Sequence, residues 1–235
     1  MEKLSWIMRT RFISLVGKLL YIANKSRPDV SYAVNYLSRF MRQPTQSHMN
    51  CAKKVLIYLG NTKERKLHLG KLDDSGLTGY SDASFVGEKG KSQSGVLFTY
   101  HGSIVHWISR KQDRPVNSST EAEYIALQLA SDECVWIRGL LADFGEVQHG
   151  PTIIFEDNLQ LVRLVHNGQI NTRCKYLTVK LRVIQDRILR KHIDVSFIAS
   201  TSQWADILTK SKQPANVGRL FDGTSLCDLQ NRGVC

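Results

Sequence analysis

Apolar positions in the first third of the chain recur at helical spacing. Val30, Ala33, Val34, Leu37 and Phe40 fall on one helical face. Arg27-Pro28-Asp29 before them is a start signal, because proline fits a first turn and aspartate suits the positive helix end. Pro44-Thr45 opens another segment, with Ala52, Val55, Leu56 and Leu59 on one face and Gly60-Asn61 as its stop. Together with the apolar stretch Phe12 to Ala23, residues 12–70 predict a small three-helix unit.

Near residue 71 the period changes. Lys71 to Gly76 is turn-rich and marks a boundary. Leu77 to Ser81 then predicts a short strand ending in Asp82, and Ser94 to Tyr100 and Ser103 to Ser109 predict a hairpin around His101-Gly102. Glu121 to Phe144 is the longest helical pattern, closed by Gly145. Thr152 to Phe155 reads as a buried strand ending in Glu156-Asp157. Residues 159–167 and 174–190 read helical, 193–199 as a strand, and 204–210 opens a last helix. The order β-β-β-α-β-α-α-β-α predicts an α/β layer architecture, a mixed five-stranded sheet flanked by helices and preceded by a small basic helical segment. Three regions follow: 1–70 helical, 77–212 α/β, and 213–235 a weakly patterned tail.

Composition narrows the class. Hydrophobic residues at 42% and charged residues at 23% describe an ordinary globular chain. No run approaches the ~18 unbroken apolar residues of a membrane span, so no membrane partner is expected. The five cysteines are odd in number and scattered, without a CxxC pair, which points to intracellular free thiols. Charge is uneven: residues 1–70 hold 13 basic and 3 acidic side chains. Residues 159–191 carry Arg163, Arg173, Lys175, Lys180, Arg182, Arg187, Arg190 and Lys191 against Asp186 alone. Such zones attract phosphate backbones, although a solvated helix face has the same composition.

Four acids sit at the ends of predicted elements. Asp82 closes the first strand and Asp157 the fourth; if these are parallel neighbours, both project at one sheet end, where their repulsion is relieved by divalent cations. The long helix offers Glu121 and Glu123, which point roughly 200° apart, so one alone faces the site. Ser118-Ser119-Thr120-Glu121 has the form of a capping box, which occupies Glu121 locally and assigns Glu123 to the site. Asp206, in Trp204-Ala205-Asp206-Ile207-Leu208, is the fourth acid. Trp107, Trp136 and Trp204 lie in apolar contexts and are expected in the core. Asn158 reads as a local helix-start partner or a phosphate contact.

Gly79-Tyr80-Ser81-Asp82-Ala83-Ser84, Lys91-Ser92-Gln93-Ser94-Gly95, Trp107-Ile108-Ser109-Arg110-Lys111-Gln112, Ser118 to Tyr124, Glu156-Asp157-Asn158 and Ala205 to Lys210 resemble the ribonuclease H domain of copia-type LTR-retrotransposon Pol polyproteins. Leu15-Val16-Gly17, Arg27-Pro28-Asp29 and Leu37 to Met41 resemble the connection before that domain. The resemblance covers about 12–212 and implies a ribonuclease H-like fold, two Mg²⁺ ions with Mn²⁺ as a substitute, and hydrolysis of the RNA strand of RNA–DNA hybrids. Asp82, Glu123, Asp157 and Asp206 are the implied ligands and catalytic residues. Glu123-Tyr124-Ile125-Ala126 also carries the apolar-x-Ala step that follows the metal-binding Glu in such domains. Arg173, Lys175, Lys180, Arg182 and Asn158 are candidate contacts to nucleic acid. The implied partners are an RNA–DNA hybrid and the reverse-transcriptase core of the parent polyprotein. The implied setting is the cytoplasm, in a virus-like particle, or the nucleus.

Lys175 to Arg182 departs from the family pattern: two histidines and an aspartate usual there are absent. No Tyr-x-Asp-Asp polymerase motif is present, so the chain resembles a truncated reading frame from a degenerate element. The alternative function is therefore an inactive remnant acting at most as a basic nucleic-acid-binding module. An integrase-type nuclease is excluded, because it needs a glutamate after the second aspartate and none follows Glu156.

Overall fold

Ser5 caps the first helix by accepting the Met8 N–H, and helix α1 runs Trp6–Lys25 with Phe12, Val16, Leu19 and Ala23 buried along one face. A 3₁₀ turn at Pro28–Val30 leads into α2, Ser31–Ser38. Helix α3, Gln46–Asn61, starts from Thr45, whose N–H and hydroxyl both meet His48 Nδ1 at 3.1 Å. These helices share one core, with Val34, Leu37, Met49, Ala52 and Leu59 packed against the α1 face. Leu56, expected on the buried face, is 49% exposed, because the buried positions of α3 run Met49, Ala52 and Leu59. The computed structural model describes residues 5–67, 69–86, 90–167, 175–210 and 226–228, and side chains in all of these but 175–180 and 226–228.

Arg27 and Asp29 explain the first start signal. The Arg27 guanidinium grips Asp29 at 2.9 and 2.7 Å and reaches the Thr62 carbonyl and hydroxyl, while the Tyr58 hydroxyl donates to Asp29. Strand β1, Arg65–Leu67, pairs antiparallel with Leu226–Asp228. The weak pattern of residues 213–235 predicts no strand there, and the pairing at 226–228 is an addition to it. The chain divides into two compact units, Met1–His68 with Lys210–Cys235, and Leu69–Thr209. The turn-rich link lies inside the second: Leu72 and Asp73 donate to the His101 carbonyl, and His101 donates to Ser75.

The second unit begins with a meander: β2, Leu77–Ser84; β3, Gln93–Tyr100; and β4, Ser103–Lys111. Helix α4, Ser119–Asp143, crosses to β5, Thr152–Glu156. Helices α5, Leu159–Asn167, and α6, Lys175–Leu189, lead to β6, Ile193–Phe197; Leu226–Asp228 is β7. The sheet order is β4-β3-β2-β5-β6, with antiparallel pairs in the meander and parallel pairs β2/β5 and β5/β6. The expected α/β layering is therefore observed.

Alternation sets the faces of the sheet. Leu77, Val96, Phe98, Ile154, Ile193 and Val195 share a core with Leu127, Ala130 and Cys134 of α4, Leu161 and Val165 of α5, and Ile184 of α6. Tyr80, on the alternate face of β2, stacks on Trp204 at 4.8 Å between centroids. That tryptophan opens a 3₁₀ turn, Trp204–Leu208, where an α-helix was expected. Trp136, also expected in the core, is 56% exposed, because the buried stripe of α4 passes through Cys134 and Ile137 on either side of it.

Candidate active site

Asp82 lies within β2 rather than after it, 2% exposed and opposite Gly95 of β3. Gly95 has a steric reason. A Cβ there would stand 2.7 Å from the Ala205 carbonyl oxygen and 2.9 Å from Leu208 Cβ, so glycine lets the 3₁₀ turn lie on β3. Ser109 of β4 fastens the same turn by donating to the Leu208 carbonyl at 2.6 Å. The Thr209 hydroxyl then bonds the Asp82 carboxylate.

Glu123 projects from the second turn of α4. Ser118 caps the helix by accepting the Glu121 N–H at 3.1 Å. Glu121 turns back to accept the Asn117 N–H at 2.9 Å, one residue earlier than a capping box predicts, and meets Arg114 at 3.5 Å. Gln112 holds this end of the helix, donating to Ser94 Oγ and to the Ala122 carbonyl, each at 2.9 Å. That bond gives the Ser94 and Gln112 motif positions a physical role: they tie the meander to the turn bearing Glu123.

Asp157 follows β5, half-buried. The structure brings Asp82, Glu123 and Asp157 together, each with a carboxylate oxygen within 4.8 Å of the others. Burial is the main force on the Glu123 carboxyl, and with the charges of Glu156, Asp82 and Asp157 it pushes the pKa up to about 10. Glu123 Oε2 is buried without a hydrogen-bond partner. Crowded, hard oxygen donors with an orphaned lone pair suit a divalent cation.

Asp206 is not a member of the three-acid group. It sits half-buried on the 3₁₀ turn, and its carbonyl oxygen lies 3.1 Å from the Thr209 hydroxyl that touches Asp82. Asn158 caps α5, its Oδ1 accepting the Leu161 N–H at 3.1 Å, with its amide 3.5 Å from Thr120 Oγ1. Arg182 is exposed on α6. Lys175 and Lys180 fall in the part of α6 whose side chains are outside the described set, and Arg173 lies outside the described residues.

Sequence reasoning missed Glu156, which is fully buried. Its carboxylate accepts from Ser81 Oγ at 2.8 Å and from the Asn158 N–H at 3.2 Å. Burial first, then the charges of Asp157 and Asp82, raise its pKa well above the usual range. The signal was present in the alternation of β5, where Thr152, Ile154 and Glu156 share the buried face.

A meander continued by two parallel strands, with acids gathered where the central pair ends, defines a ribonuclease H-like fold. No protein-family model matches the sequence. The retrovirus-related Pol polyprotein from transposon RE1 of Arabidopsis thaliana is 36% identical over 203 residues, 86% of this chain and 14% of that polyprotein. Secreted RxLR effector protein 161 of Plasmopara viticola is 41% identical over 128 residues, 54% of this chain and 90% of that protein. Among solved structures, LC11-RNase H1, isolated from compost by a metagenomic approach, is 21% identical with a TM-score of 0.46, covering 57% of this chain and 92% of that one. Its homologues are copia-type retrotransposon Pol polyproteins, 32–36% identical over 85–86% of this chain, and it spans 14–15% of their length.

Proposed function

We propose that the second unit is a ribonuclease H-type endonuclease that hydrolyses the RNA strand of RNA–DNA hybrids using two divalent cations, Mg²⁺ with Mn²⁺ as a substitute. The observation that carries this is the meeting of Asp82, Glu123 and Asp157 at the split end of two parallel strands. Bound cations supply an activated water and charge stabilisation for in-line displacement at the scissile phosphate. The residues of this chain hold and orient. Asp82 presents its carboxylate from within β2 and Asp157 from the residue after β5, and Glu123 presents an oxygen without a competing partner. Thr209 steadies Asp82. Asp206 is the proposed fourth ligand, one step from Asp82 through Thr209. The basic residues Arg173, Lys175, Lys180 and Arg182, with the helical unit, are proposed to grip hybrid backbone. Asn158 is tied to its helix cap, and the contact proposed for it is through its amide.

Hybrid cleavage by the purified chain in Mg²⁺, beside an Asp157→Asn control, tests the proposal. The expected result is cutting of the RNA strand with the DNA strand intact, lost in the control. A wild-type chain that binds hybrid without cutting it supports the remnant alternative instead. If the basic zones hold phosphates, the logarithm of hybrid affinity falls with that of salt at a slope of about −0.9 per contact, and a flat response removes that role.

A further inference from the structure

The ladder between β2 and β5 ends at the pair Tyr80 and Phe155, and beyond it the strands part on their way to Asp82 and Asp157. Gln203 fills that fork, 1% exposed. Its Nε2 donates to the Ser81 carbonyl at 2.9 Å and to the Phe155 carbonyl at 3.3 Å. Its Oε1 accepts the Ala205 N–H at 3.2 Å. Ser81 precedes Asp82, Phe155 lies two residues before Asp157, and Ala205 precedes Asp206. One side chain therefore binds the backbone beside three acids that come from three separate stretches of chain. The partners also fix the amide's orientation: the reverse one would set an oxygen against two carbonyls and an NH₂ against an N–H.

We propose that Gln203 is a positioning residue for the acid centre, one that sets the spacing of the β2 and β5 ends and registers the Asp206 turn against them. This rests on the ribonuclease H reading of the site. The physical case is one of satisfaction. Where a parallel ladder opens inside a protein, the freed carbonyls need donors, and a buried carbonyl left without one is costly. Gln203 supplies both hydrogens of one planar group to two strands, so their separation is set by the width of an amide. Neighbouring contacts depend on that spacing: Ser81 also donates its hydroxyl to Glu156, across the same fork. An apolar residue of equal size would leave both carbonyls unpaired, and the fork would relax by the few tenths of an ångström to which ligand geometry is sensitive. Gln203 does not itself reach the reacting atoms. Groups that orient ligands from behind typically change metal affinity or activity 10–100-fold when removed.

The test uses the full chain as wild type, Gln203→Leu and Gln203→Glu. Mn²⁺ binding is read by the loss of the free-ion paramagnetic resonance signal, beside kcat, KM for hybrid and the thermal midpoint. Gln203→Leu is expected to weaken Mn²⁺ binding and lower kcat by ~10–100-fold, with KM for hybrid nearly unchanged. Gln203→Glu keeps the acceptor for Ala205 but turns an acceptor on the two carbonyls, and it is expected to lose as much. Should either variant fail to fold, the wild-type side-chain amide decides: its hydrogens are expected to exchange slowly and to shift in resonance on addition of Mg²⁺. Unchanged Mn²⁺ affinity and kcat in folded variants, a loss confined to the thermal midpoint, or fast amide exchange in wild type overturns the proposal. A wild-type chain that neither binds Mn²⁺ nor cleaves overturns the site reading first, and the positioning role with it.

Discussion

Each unit buries a cluster of charge, and the two are built on opposite terms. In the helical unit the Asp29 side chain is wholly shielded, yet the Arg27 guanidinium lies 2.7 Å away and the Tyr58 hydroxyl 2.9 Å away. Burial and the Asp29 charge push the Tyr58 pKa up to about 12, which keeps that hydroxyl a donor. In the second unit, carboxylate crowds carboxylate, and Glu123 Oε2 has no hydrogen bond. Charge answered by opposite charge within the chain holds a fold together. Acids crowded together without an opposite charge oppose folding when ionised, and a bound cation would relieve that conflict.

The sharpest way to break this contrast is Glu123→Gln. Hybrid cleavage is expected to fall by at least ~10³-fold, about 4 kcal/mol of activation free energy, while the melting temperature of the metal-free protein rises. A fall in both would place Glu123 among the structural groups. Arg27→Met is the counterpart. Removing one partner of a buried pair costs about 3–5 kcal/mol, so denaturant titration should show the helical unit losing most of its stability. A loss below ~1 kcal/mol would make that pair a surface-like one.

Gly95→Ala is expected to be milder. Its methyl would meet the Ala205 carbonyl oxygen at 2.7 Å and press on the turn carrying Asp206. Overpacking of this kind costs about 1–3 kcal/mol, read as a lower melting temperature together with reduced cleavage. The last effect is with pH. The folded-state pKa of Glu123 is raised from 4.5 to about 10. Its stabilising contribution is therefore complete below pH 4.5 and is lost as pH rises toward 10. Metal-free protein should melt at progressively lower temperature over that window, and Mg²⁺ should flatten the trend. A melting temperature that climbs from pH 5 to 8 without metal contradicts it.

The long periodic elements were legible in the sequence because their spacing alone selects helix or strand. That is why α4, the meander and the parallel pair carry Asp82, Glu123 and Asp157 to one place. Local rules also separated Glu121 from Glu123, since a cap is a short-range contact. What was not legible depends on distance along the chain. Gln203 and Thr209 act on β2 across more than a hundred residues, and no local pattern announces such bonds. The pattern of 204–210 predicts a helix, yet Trp204–Leu208 forms a 3₁₀ turn, because tertiary anchors at Ser109 and Gly95 fix it in place of a helical face. Trp136 was misplaced by residue type: an aromatic ring is usually buried, but its helical position points it outward.

The most direct measurement is anomalous scattering at the manganese edge from crystals of the chain grown with Mn²⁺. Two peaks ~4 Å apart, bounded by oxygens of Asp82, Glu123 and Asp157, are predicted. A map from such crystals with no peak among these three side chains contradicts the account.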